Sequence, residues 1–143
     1  MEYSKQGLDL TKAFESCRLT AYRDIKGVLT IGYGHTGPEV VEGLVWTQDQ
    51  ADSQLIMDLQ HAVTVVNNLV TIGLSQPAFD AVVDLVFNIG SGNFRNSTML
   101  KLLNVGNLEA AAEQFDRWDE AGGKKVAGLL RRRKAETEEF TNG

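Results

Sequence analysis

Apolar residues recur at helical spacing along most of the chain, and one stretch near the N-terminus breaks the pattern. Leu10, Phe14 and Cys17 stand at i, i+4 and i+7, which predicts a first helix from about Ser4 to Ser16. Farther on, Ala51, Leu55, Leu59, Ala62, Val66 and Leu69 step by four, four, three, four and three. Thr47 and Gln50 form a capping box ahead of this stripe, so a helix of about 23 residues, roughly 35 Å long, is expected near 48–70.

Another helix opens at Ser75, with Ser75 as N-cap and Pro77 in its first turn. Phe79, Val82, Val83, Leu85, Val86 and Phe87 make it apolar almost all round, as expected at the centre of a bundle. Its narrow polar strip of Asp80, Asp84 and Asn88 must then meet water, a partner or a cleft. NIGSGNF interrupts the pattern, and Ser97 and Asn107 cap two further segments. Gly122-Gly123 ends that region before a last helix running to about Phe140.

Residues 19–34 behave differently. LTAYRD alternates, and VLTIGYG is rich in β-branched residues and glycine, so a β-hairpin is expected around DIKGV. The fold class is therefore α+β and mainly helical. A small β-hairpin lobe at approximately 13–50 is joined by the helix near 48–70 to a helical lobe at 70–143, which also takes in the first helix. With 143 residues, one domain suffices.

Composition leaves this picture unchanged: 43% of residues are hydrophobic and 23% charged. A net charge of −5 argues against nucleic-acid binding through overall basicity. The basic run KKVAGLLRRRK at 124–134 reads as a solvated helix face, with Arg132–Glu136 and Lys134–Glu138 pairs at i,i+4. Contact of this run with an anionic envelope surface is the lesser alternative. The single Cys17 forms no internal disulfide, and MEYSKQGLDLTKAFE reads as neither a signal peptide nor a membrane anchor.

Candidate chemistry lies around the hairpin. Asp24 and Thr30 are symmetric about Gly27, and in that register they face one another, a carboxylate and a hydroxyl able to share one water. Glu15 falls at the carbonyl end of the first helix among Phe14, Cys17 and Leu19, a place that disfavours negative charge and suits a proton donor. Asp24, beside Arg23 and Lys26, suits an anion. Two carboxyl groups in contrasting surroundings are the signature of acid–base chemistry at a glycosidic bond. Taken alone, a Glu and an Asp nine residues apart read as two surface carboxylates.

The fuller string decides between these. Glu15, Asp24 and Thr30, followed by Gly32-Tyr33-Gly34-His35, keep the spacing of a triad and G-x-G-H motif that resembles the phage-type lysozymes (endolysins, muramidases), a family that includes the lysozyme of T-even phages. FNIGSGNFRNSTMLKLLN at 87–104 resembles the family's cleft-lining segment, and RWDEAGGKKVAGLLRRRKAE at 117–136 its closing helices. The resemblance covers nearly the whole chain and implies one lysozyme-like two-lobed catalytic domain. It further implies that Glu15 protonates the leaving oxygen, that Asp24 activates or steers the attacking water, and that Thr30 positions that water. His35 is implied as a structural residue beneath the site, bonded to a buried carboxylate. Phe87, Asn88 and Ser97 are implied as sugar contacts, although Asn88 replaces a longer amide found in the T-even enzyme. A basic residue near the acid is common in the family; Lys124 and Lys125 are candidates, with neither assigned.

The implied reaction is inverting hydrolysis of the β-1,4 bond between N-acetylmuramic acid and N-acetylglucosamine in bacterial peptidoglycan, causing host cell lysis. No metal or organic cofactor is implied: His35 and His61 have no partner ligands at metal spacing. A lytic transglycosylase would use Glu15 without needing a water held by Asp24 and Thr30. A glycan-binding inactive homologue would carry a silent triad. A thiol peptidase using Cys17 with His35 is disfavoured, because Cys17 continues the apolar face of the first helix. The expected partner is the glycan strand, with no nucleic acid and no stable membrane anchor. The protein is expected as a monomer in the host cytoplasm until a separate membrane-permeabilising protein releases it to the wall.

Overall fold

The computed structural model describes residues 1–142. Its elements are α1 (Lys5–Phe14), β1 (Arg18–Arg23), β2 (Leu29–Gly32), α2 (Gln48–Leu69), α3 (Gln76–Ile89), α4 (Ser91–Arg95), α5 (Thr98–Asn104) and α6 (Leu108–Glu113). A 3₁₀ turn at Phe115–Trp118 follows, then β3 (Glu120–Ala121), β4 (Lys124–Lys125) and α7 (Ala127–Thr141). The chain divides into two compact units: Thr11–Gln60, and Met1–Leu10 together with the residues from His61 onward.

In the Thr11–Gln60 unit, β1 and β2 form an antiparallel hairpin whose apolar backing is Ile31, Val40, Ala51, Leu55 and Leu59, all buried. The capping box at the start of α2 is formed as its sequence requires. Gln50 N donates to Thr47 Oγ1 at 3.1 Å, and Thr47 N donates to Gln50 Oε1 at 2.8 Å. The hairpin register differs from the expected one. Tyr22 lies opposite Thr30 and Arg23 opposite Leu29, and the Asp24 amide bonds Val28 O at 3.0 Å. The reason is local: Asp24 Oδ1 accepts from the amides of Lys26 at 2.8 Å and Val28 at 2.9 Å, which makes Asp24 part of the turn. Displacement by two residues preserves side-chain facing, so Asp24 and Thr30 become diagonal neighbours on one face instead of a direct pair.

After β2 the chain reverses within Gly32-Tyr33-Gly34. Ile31 and His35 exchange both backbone hydrogen bonds at 2.9 Å. Gly32 and Gly34 hold φ of +66° and +83°, a conformation that side chains rarely adopt. At Gly32 a side chain is also excluded by packing, because a Cβ there would meet the Trp46 ring at 3.0 Å.

The second unit is built on α3. Ser75 caps it by accepting from Ala78 N at 3.2 Å, and residues 78–86 are all buried. Phe79 on α3 and Phe94, Met99, Leu103, Phe115 and Phe140 from the elements after it are buried in the same unit. The two acids of the α3 polar strip, Asp80 and Asp84, are closed off from water, and Asn88 is half-buried. Asp80 accepts from Ser4 N at 3.2 Å, from Ser4 Oγ and from Gln76 Nε2 at 2.9 Å, which ties the start of α1 to α3. Asp84 takes a bidentate pair from Arg132, Nε and Nη2 each at 2.9 Å, and Asn88 Oδ1 accepts from Arg133.

The basic run is therefore a solvated face only in part: Lys124, Lys125, Arg131 and Lys134 are exposed, but its two central arginines are not. Arg132 is 3% exposed, and Arg133 and Glu136 are fully buried. Arg132 does meet Glu136, at 3.8 Å, but in the interior, while Lys134 pairs with Asp116 at 2.6 Å instead of Glu138. Asp84 on α3 and Glu136 on α7 itself, 3.3 Å from Arg133, supply the carboxylates that make this burial tolerable. Burial, and then the neighbouring Asp84 carboxylate, push Glu136 well above the usual carboxylate range against the pull of Arg133 and Arg132. The Gly122-Gly123 break is the turn of a second hairpin, β3 with β4, whose strands are too short to show any alternation.

Candidate active site

Glu15 is the first residue after α1, its amide still bonded to Thr11 O at 3.0 Å, and it is half-buried. Its carboxylate lies over Gly34: a Cβ on that glycine would stand 3.8 Å from Glu15 Oε2. The G-x-G turn thus brings an atom-thin backbone against the candidate acid.

Asp24 and Thr30 are both fastened to Val28. Asp24 Oδ1 accepts the Val28 amide, and Thr30 Oγ1 donates to Val28 O at 2.9 Å. Thr30 has therefore used its only proton, and toward a water it acts as an acceptor. Asp24 Oδ2 has no hydrogen-bond partner among the described residues. Asp24 is half-buried and Thr30 is 4% exposed. Glu15, Asp24 and Thr30 all belong to the Thr11–Gln60 unit.

His35 is bonded at both nitrogens, Nδ1 to Asp58 at 2.9 Å and Nε2 to Glu39 at 2.5 Å, and its ring lies 5.7 Å from Trp46. Its carboxylate partners are not buried as expected: the Asp58 and Glu39 side chains are 27% and 58% exposed. Burial alone lowers the His35 pKa, but the hydrogen bonds and charges of Glu39 and Asp58 outweigh it and hold the group above its ordinary value. His35 holds Glu39 below the usual carboxylate range in return. The folded chain thus binds this proton more tightly than the unfolded chain. The resulting stabilisation is complete below about pH 6.5 and is lost as pH rises through the raised value. Thermal melts from pH 5 to 9 are expected to show wild type losing its advantage over His35→Asn across that rise; an equal gap at every pH refutes the assignment.

A polar cluster that the sequence reading did not identify surrounds Tyr33. The Tyr33 hydroxyl donates to Asp52 Oδ1 at 2.9 Å, and Gln48 Nε2 donates to both, at 3.1 Å and 2.9 Å. Lys12 Nζ stands 3.5 Å from the same Asp52 oxygen. Burial, then the bond to Asp52, raises the Tyr33 pKa to about 12. Gln48 and Asp52 were legible as an i,i+4 pair at the start of α2, but nothing local joins them to Tyr33. Cys17 lies beyond α1 and is half-buried, with Sγ 3.8 Å from Gln48 Nε2, so it does not continue that helix face. Both His35 nitrogens are taken by carboxylates, so neither is paired with the Cys17 thiol.

In the other unit, Phe87 and Asn88 are half-buried on the last turns of α3. Ser97 is turned inward as the cap of α5: its hydroxyl donates to Phe94 O at 2.6 Å and accepts from Leu100 N at 3.1 Å. Lys124 and Lys125 are exposed on β4. Among the described residues no group of three or more His, Cys, Asp or Glu is placed to hold a metal ion.

Known proteins share this arrangement of sequence and fold. The endolysin of Salmonella phage P22 is 40% identical over 138 residues, 94% of each chain. A solved variant of P22 lysozyme superposes with a TM-score of 0.90 at 39% identity, covering 99% of both chains. The SAR-endolysin of Bacteriophage PS119 is 37% identical over 122 residues, 85% of this chain and 73% of that protein. The endolysin of Bacillus phage PZA is 40% identical over all of this chain, which spans 56%, about half, of that relative's length. A family model described as phage lysozyme matches residues 12–136, a span that holds Glu15, Asp24, Thr30 and the glycine turn. By that match and these identities, the chain belongs to the phage lysozyme family.

Proposed function

We propose that this chain is a muramidase that hydrolyses the β-1,4 bond between N-acetylmuramic acid and N-acetylglucosamine in peptidoglycan, with inversion, and so lyses the host cell. Glu15 is the general acid that protonates the leaving oxygen. Asp24 and Thr30 hold the attacking water. The observation that carries this reading is the shared anchorage of Asp24 and Thr30 on Val28. Both side chains are left as acceptors, so a water between them spends its two protons on them and turns a lone pair outward. A lone pair so directed is what attack on an anomeric carbon requires. Inversion calls for the two carboxyl groups to stand about 6.5–9.5 Å apart, leaving room for that water.

Phe87 and Asn88 contact the glycan in this reading. The bond from Arg133 fixes Asn88 through its oxygen and leaves the amide hydrogens for a sugar acceptor. Ser97 contributes by capping α5. The catalytic unit is one domain, acting as a monomer on glycan strands. The protein waits in the host cytoplasm until a separate protein permeabilises the membrane. No helix among the described residues is long and apolar enough to cross a membrane.

The test is digestion of purified peptidoglycan followed by mass spectrometry of the new sugar ends. Free reducing muramic acid ends, carrying one ¹⁸O when the reaction is run in labelled water, are expected. Anhydro ends would remove the water-holding role and make the protein a lytic transglycosylase. Binding without cleavage would make it an inactive homologue.

A further inference from the structure

The cluster around Tyr33 takes in residues that flank Glu15 along the chain and one that adjoins the glycine beneath its carboxylate. Lys12 precedes Glu15 by three residues and Cys17 follows it by two. Tyr33 adjoins Gly34, the residue against which the Glu15 carboxylate rests. All three reach the first turns of α2. Lys12 and Tyr33 converge on Asp52 Oδ1, and Gln48 touches Asp52, Tyr33 and the Cys17 sulfur. Lys12 Nζ also stands 5.8 Å from the Tyr33 ring centroid. One carboxylate oxygen is thus the common acceptor for donors from the end of α1, the glycine turn and α2.

The backbone closes the turn through the Ile31–His35 pair and holds the Glu15 amide on Thr11 O, and the cluster adds side-chain ties from both segments to α2. Gly32 and Gly34 give the turn free φ, and α1 has ended at Phe14. The φ of +83° at position 34 calls for glycine, so a side-chain tie for the turn must come from a neighbour. Tyr33 is the only side chain in the Gly32-Tyr33-Gly34 turn, and it spends its hydroxyl on Asp52.

We propose that Asp52 and Tyr33, with Gln48, are positioning residues that hold the Glu15 carboxyl in its reactive placement by fastening the glycine turn and the end of α1 to α2. This rests on the reading of Glu15 as general acid. Misplacement of a catalytic group by about 1 Å can cost about 10²-fold in rate, whereas affinity for a long glycan is spread over many contacts. Loss of the cluster should therefore appear in kcat and scarcely in KM.

The measurement is kcat and KM on soluble, uncrosslinked peptidoglycan strands, at a temperature where each variant is folded by circular dichroism. Asp52→Ala is expected to lower kcat about 10–100-fold with KM within about 2-fold. Asp52→Asn keeps an oxygen for Tyr33 and Gln48 and is expected to restore kcat to within about 3-fold of wild type. Tyr33→Phe, which removes a single oxygen, is expected to lower kcat and to add little in the Asp52→Ala background. Wild-type kcat in Asp52→Ala and Tyr33→Phe overturns the proposal. So does equal impairment of Asp52→Ala and Asp52→Asn, which would assign the effect to charge. If Glu15→Gln retains wild-type activity, the general-acid reading itself fails. If Glu15→Gln is inactive while Asp52→Ala is unimpaired, only the positioning role fails.

Discussion

Glu15→Gln is expected to lower turnover on peptidoglycan by at least about 10²–10⁴-fold, the range contributed by a positioned general acid. The amide matches the carboxyl in size and keeps an oxygen toward Gly34, so the fold and glycan binding should be preserved. What it lacks is a transferable proton for the leaving oxygen. Cleavage measured by release of reducing ends, beside glycan binding by sedimentation with insoluble wall, separates the two. Lost cleavage with retained binding is the expected pair. Cleavage within about 10-fold of wild type would remove Glu15 from the acid role, since loss of a general acid costs more than that.

Arg132→Met is expected to be the most damaging of simple substitutions to stability, at about 3–5 kcal/mol, because it leaves a buried carboxylate uncompensated. Asp84 is fully buried and receives both of its Arg132 bonds at 2.9 Å, and Glu136, equally buried, stands beside it. Methionine preserves much of the stem volume, so the loss reports charge more than packing. In a chain of this size the melting temperature should fall by about 10 °C or more. Lys134→Met two residues along provides the contrast: its bridge to Asp116 joins side chains 63% and 42% exposed and should be worth about 0–1 kcal/mol. Urea unfolding of both variants checks the pair of values. Equal effects would mean that the Arg132 pair is solvated in solution. Arg132→Met combined with Asp84→Leu should cost less than the sum of the single changes, because the second change removes the stranded charge.

These two expectations differ in how far the sequence alone reached them. Glu15 was singled out by spacing, because the candidate triad and the glycine turn lie within one continuous stretch. Arg132 was misread. A run such as LLRRRKAE carries no local mark of burial, and i,i+4 pairing with Glu136 is as natural on a wet helix face as in a core. The polar strip on α3 was the available clue, since Asp80, Asp84 and Asn88 on an otherwise apolar helix required partners somewhere. Their partners came from Ser4, Arg132 and Arg133, between 45 and 76 residues distant.

By itself the sequence determined the features whose causes lie within a few residues. The helices and their Ser75, Ser97 and Asn107 caps follow from periodicity and from side chains bonding amides three positions on. The existence of the hairpin follows from β-branched alternation around a glycine turn, and the reversal at Gly32-Tyr33-Gly34 from glycine's freedom at positive φ. Tertiary structure decided everything set by competition between distant groups. It chose the hairpin register, where Asp24 was drawn into the turn by two amides, and it buried Arg132 and Arg133 against α3. It also joined Tyr33, Lys12 and Gln48 on Asp52. Helix and turn preferences are local backbone energies and can be read in order along a chain. The burial of a charge or a hydroxyl depends on which acceptor folding brings to it, and that acceptor is fixed only when the elements pack.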